Sequence, residues 1–135
     1  MKMTLVITAC ALSAVVTVAR TMPPSVLAQA PAEGRKVESV CTVDLKGELQ
    51  VEANISCYRV TMSPGGVSPE HTHSGRSSII VMVQGRMTEY RGSVAREYGP
   101  GDVVVVPAGA THRAENKGTT PVIYIETNIM AGAPR

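Results

Sequence analysis

The sequence predicts an all-β chain, an antiparallel sandwich or barrel. Two observations carry that prediction. Short runs of β-branched and alternating apolar residues recur at nearly regular spacing from about residue 37 to residue 126, with glycine or proline at most of the corners between them. No stretch shows a sustained helical period. Many short strands with Gly/Pro corners are the pattern of a sheet folded onto itself.

Element by element, Val37 to Leu45 and Leu49 to Val51 read as strands around a Lys46-Gly47 turn. Ile55 to Met62 alternates Tyr58, Val60 and Met62 against Arg59 and Thr61, and Pro64-Gly65-Gly66 ends it. Ser78 to Val83 reads as a buried strand closed by Gln84-Gly85, with Ser78, Ile80 and Met82 on one face. Met87 to Tyr90 and Val94 to Tyr98 form a hairpin about Arg91-Gly92. The turn Gly99-Pro100-Gly101-Asp102 feeds four valines, Val103 to Val106. After Pro107-Ala108-Gly109, Thr111 to Glu115 and Val122 to Glu126 complete the set. With no Phe or Trp, the core must be built from Val, Ile, Met and Tyr. Met62, Met82 and Tyr58 read as core residues, with lining of a central cavity as their other reading.

Residues 1–28 read as an export signal. Lys2 supplies a positive start, Leu5 to Ala19 an apolar run, and Val26-Leu27-Ala28 a cleavage position; Ala30 is an alternative cut. The run is short for a span, which needs about 20 residues, although Arg20 leaves an uncleaved anchor as the other reading. Residues 29–36 form a linker and 37–135 one domain, exported to a periplasm or secreted. Of thirteen Lys and Arg against eleven Asp and Glu, Lys2 and Arg20 fall in the leader, so the domain is formally neutral. That excludes an electrostatic footprint for nucleic acid, and after cleavage nothing implies a membrane partner. Arg86, Arg91 and Arg96 interleave with Glu89 and Glu97 as a solvated mixed-charge face. Cys41 and Cys57 remain, either as a disulfide suited to an oxidising compartment or as two free thiols.

The chemistry lies in three histidines. His71 and His73 are two apart on extended chain, so both rings project from one face while Glu70 and Thr72 face the other way. His112 enters a later strand after the Pro107-Ala108-Gly109 turn. Three neutral imidazoles meeting in a closed barrel suit a divalent first-row metal. Three unrelated surface histidines are the alternative reading.

At these residues the chain resembles the cupin superfamily, as a small single-domain member. Gly65, five residues, His71-Thr72-His73 and then Gly85 match the first cupin motif except at one position. Gly101, five residues, Pro107-Ala108-Gly109, two residues, His112, three residues and Asn116 match the second throughout. The resemblance implies a jelly-roll barrel with a metal in its mouth on His71, His73 and His112. It leaves the metal open among Fe, Mn, Ni, Zn and Cu. The departure is a missing glutamate, whose expected places are Ser77 and Ser78. Without that carboxylate the dication keeps its full charge, which favours an oxygen-rich anionic or chelating ligand such as a carboxylate or diketonate. Arg76 and Ser78 are the candidate catalytic residues beside the metal. A solvent-facing loop arginine is the ordinary reading of Arg76, while an inward turn would reinforce anion binding.

Three functions stay open on these residues. By resemblance, three-histidine cupins are similar to dioxygenases of small chelating substrates. The second reading is an exported cupin that binds metal or a small molecule without chemistry of its own. The third is a barrel without metal. Exposed sheet edges need protection, and a homodimer is one way to supply it.

Overall fold

The computed structural model describes residues 34–132; the predicted signal segment, residues 1–28, lies outside them. Among the described residues nine strands follow one another: β1 (Arg35–Asp44), β2 (Ala53–Met62), β3 (Val67–Thr72), β4 (Arg76–Gln84), β5 (Met87–Arg91), β6 (Val94–Tyr98), β7 (Val103–Val106), β8 (Thr111–Glu115) and β9 (Val122–Ala131). A short helix, α1 (Leu45–Leu49), joins β1 to β2. All pairings are antiparallel. One sheet runs β1-β2-β9-β4-β7, the other β3-β8-β5-β6, and together they make the jelly roll.

Four expectations need correction. Leu49 to Val51 is not a strand; Asp44 caps the N-terminus of α1 by accepting from the Lys46 amide, and Gln50 ends it in the left-handed region. The linker ends earlier than expected, because Arg35 and Lys36 already pair with Met62 and Thr61. Strand β4 is buried on one face only. Ser78, Ile80 and Met82 point inward, while Ile79, Val81 and Val83 are 36–53% exposed, because among the described residues no second layer covers the outer side of that sheet. Strand β9 also runs five residues beyond the predicted end, alternating throughout.

Side chains from both sheets fill the space between them. Val60, Met62, Ile80, Met82, Met87, Val104, Val106, Ala114, Val122 and Tyr124 form the core, with Tyr58 packed against it. Three methionines, flexible at three side-chain torsions, occupy volume that aromatic rings would otherwise take. Gly85 closes the β4–β5 turn at φ +74°, where a Cβ would sit 2.6 Å from the Pro121 carbonyl oxygen. No other residue fits there. Cys41 and Cys57 stand opposite each other on β1 and β2 with both thiols free. No helix among the described residues is long and apolar enough to cross a membrane.

Asn116, the last residue of the second motif, is a structural tie. Its buried amide donates to the carbonyls of Met62, Ser63 and Thr120 at 2.9–3.0 Å, and its Oδ1 accepts from Gly118 N–H. It thereby locks the ends of β2 and β8 together beneath the barrel. Asn116→Ala strands several buried backbone groups, and we expect a loss of about 2–4 kcal/mol in urea unfolding, at about 1 kcal/mol per hydrogen bond.

Candidate metal centre

Strands β3 and β8 bring the histidines together. His71 and His112 are direct cross-strand partners. The pairing slips between Ser68 and His71, so β3 carries one extra residue there. That bulge matters because side-chain direction alternates strictly: with Ser68 buried, an unbroken strand would turn Glu70 and Thr72 inward. The extra residue reverses the phase. Glu70 and Thr72 are exposed, and His71 and His73 face the interior. His73, just past the strand, is clamped by the Pro107–Ala110 turn: its N–H donates to Ala110 O (2.9 Å) and its carbonyl accepts from Gly109 N–H (3.0 Å).

The three rings meet through their Nε2 atoms. His71 Nε2 lies 3.2 Å from His73 Nε2, which lies 2.9 Å from His112 Nε2. Metal–nitrogen bonds of 2.0–2.1 Å in tetrahedral or octahedral geometry set nitrogens about 2.9–3.4 Å apart. Two of the three nitrogen pairs have that spacing, and all three ligand atoms lie within 4.8 Å of one another.

The other ring nitrogens settle the tautomers. His71 Nδ1 is 2.8 Å from the Pro69 carbonyl, which can only accept. His112 Nδ1 is 2.8 Å from the Glu89 carboxylate, itself only 2% exposed. His73 Nδ1 is 3.0 Å from Ser78 Oγ, and the Ser78 hydroxyl donates onward to Asn128 Oδ1, with Glu126 Oε1 3.4 Å away. Each Nδ1 therefore carries the proton, and each neutral Nε2 presents a lone pair to the other two. Burial lowers the pKa of His71, and it pushes His73 down to about 3, with the positive charge of Arg76 adding to the effect. Protonation is thus disfavoured as a way to relieve the crowding at those two rings. A cation relieves it, and this donor set fits a divalent metal.

The serines at the expected glutamate positions have other tasks. Ser77 Oγ accepts from Ala108 N–H (3.1 Å), holding the turn that clamps His73. Ser78 is fully buried and orients the His73 ring. Arg76, the other candidate, is half-buried and lines the cavity beside His71 and His112. The interior position follows from its place at the first residue of β4, opposite Met130 of β9.

Three residues were missed. Glu89 is not part of a solvated charged face. It is buried between His112 and Arg91, whose Nε and Nη2 both donate to it at 3.1 Å. Burial opposes its ionisation, but the bonds from His112 and Arg91 outweigh that and hold its pKa below the ordinary carboxylate value. Glu126 and Arg35 line the same cavity as the histidines, an ion pair at 3.9 Å. The inward phase of β9 (Val122, Tyr124, Glu126, Asn128) held the signal for Glu126.

A jelly roll with three imidazoles aimed at one point inside its mouth is compatible with a metal site. The chain belongs to the cupin domain family, whose model matches residues 58–128. Auxin-binding protein ABP19b of Prunus persica is 42% identical over 76 residues, covering 51% of this chain and 35% of that protein. Germin-like protein subfamily 1 member 17 of Arabidopsis thaliana is 38% identical over 79 residues, with the same coverage. The chain thus spans about a third of the length of these curated relatives. Among solved structures, KdgF from Halomonas sp. superposes with a TM-score of 0.62 at 20% identity, over 78% of this chain and 86% of that one, a likeness of fold.

Glu89→Gln keeps an acceptor for His112 but removes the charge. Loss of an outer partner of this kind typically costs about 10–100-fold in metal affinity. We expect a loss in that range for zinc, measured by competition with a chromophoric chelator; an unchanged affinity would contradict the role given to Glu89.

Proposed function

We propose that this chain is a metal-binding cupin, holding a divalent transition metal on His71, His73 and His112 and offering it to a small anionic or chelating ligand. The observation that carries the reading is the convergence of three Nε2 lone pairs, each fixed by a partner on its own Nδ1. When bound, such an ion acts as a Lewis acid toward an oxygen donor and, if redox-active, can engage dioxygen.

The chain's own groups have distinct tasks in this reading. Ser78, Glu89 and the Pro69 carbonyl keep the rings in one tautomer and one orientation. Arg35 and Arg76 neutralise a ligand's negative charge. Glu126, buried in the same cavity, is placed to accept a proton from an acidic position of the ligand. Oxygenase-like chemistry on a small chelating substrate is the activity we assign. The second reading, a binder without chemistry, is favoured by the small cavity, about 20 Å³ of space for the centre of a water molecule.

Two wider proposals go with it. The chain is exported after removal of residues 1–28. It also pairs with a second copy through the outer face of β4 and β7. There Ile79 stands opposite Val105 and Val81 opposite Val103, all 36–56% exposed, a contiguous apolar patch on an edge of the sheet.

Elemental analysis of untagged protein, purified without chelators, should find about one equivalent of transition metal. After iron loading, oxygen uptake with a panel of diketones, thiols and phenols should exceed that of the His112→Ala variant. Metal without uptake favours the binder; less than about a tenth of an equivalent removes the metal reading. Light scattering should give twice the chain mass for the native protein and the single mass for Val81→Lys.

A further inference from the structure

The cavity beside the histidines contains two guanidinium groups that the fold leaves incompletely partnered. Arg35 enters from β1 and Arg76 from the start of β4, and both line the space next to His71 and His112. The Nε atom of each is buried with no hydrogen-bond partner among the described residues. Arg35 is 14% exposed, and its ion pair with Glu126, at 3.9 Å, is longer than a hydrogen bond. Buried N–H donors are nearly always satisfied, so two orphans on residues that line one cavity point to an acceptor that arrives from outside.

We propose that Arg35 and Arg76 form a receiver for a short-chain carboxylate, held between the three-histidine centre and Glu126. Shape and charge select that chemistry. The Nε–H and Nη–H edge of arginine presents parallel donors that match the two oxygens of a carboxylate. Two guanidiniums against the single carboxylate of Glu126 leave the cavity positive even without metal, and a dication would raise that charge further. Size limits the ligand. The cavity is small, and Ile80, Met87 and Ala114 wall it, so only a few carbons fit. The inference deepens the metal-centre reading and rests on it for affinity, while the location rests on the arginines alone.

Acetate titrations of the full chain, metal-free and zinc-loaded, followed through the arginine Nε–H signals in ¹⁵N NMR, test this. The Arg35 and Arg76 signals should shift saturably in both forms, with tighter binding in the loaded one. Arg35→Gln and Arg76→Gln should each weaken acetate by about tenfold or more while zinc content is retained, the loss expected for a charged hydrogen bond. Signals that do not move, or two variants that bind acetate like the native protein, overturn the receiver. Phosphate or benzoate binding more tightly than acetate overturns the assignment to a short carboxylate. If zinc fails to bind but the metal-free signals still shift, the receiver stands and the metal reading falls.

Discussion

Three nitrogen lone pairs directed at one another, 2.9 and 3.2 Å apart in the two ring pairs that meet most closely, set the terms for the rest of this structure. Neutral imidazoles do not pack that way for their own sake, since each Nε2 would repel its neighbours. The arrangement persists because the opposite edge of every ring is held. A backbone carbonyl holds His71, a hydroxyl holds His73 and a buried carboxylate holds His112. Those outer partners come from the residue two positions before His71, from β4 and from β5. The centre is therefore distributed across both sheets, and packing between the sheets is what maintains it.

The fold supplies this geometry through a few local devices. The bulge in β3 turns His71 and His73 inward. The Pro107–Ala110 turn clamps His73 from the β8 side, and Ser77 braces that turn from β4. Arg91 reaches from β5 to the Val105 carbonyl on β7 while also binding Glu89, so one side chain ties β5 to the edge strand of the other sheet and steadies the His112 partner. The serines that replace the expected glutamate leave the centre without an acidic ligand of its own. Glu126 sits in the cavity but outside the three-histidine group.

Much of this was legible in the sequence. Strand positions, the hairpin, the turn glycines and the histidine spacing follow from alternation and from the conformational demands of corners, which are local properties. The cupin motifs added the order of the histidines. What escaped depended on distant pairing. Glu89 sits among arginines and reads as a surface residue until β5 is laid beside β8 and its phase is set. Arg35 and Glu126 lie 91 positions apart in the chain, yet face each other across β1, β2 and β9. The exposed outer face of β4 was hidden because an unbroken apolar run looks the same whether one face is covered or two. Helix α1 is too short to show a period, although Asp44 as its cap was a local clue.

The central claim is that all three Nε2 atoms bind one ion. X-ray absorption spectroscopy of the zinc-loaded protein measures this directly. The account predicts three imidazole nitrogens at about 2.0–2.1 Å with the multiple-scattering pattern of histidine, the remaining positions being taken by light oxygen donors. Fewer than three imidazoles, or a sulfur shell from Cys41 or Cys57, would contradict it.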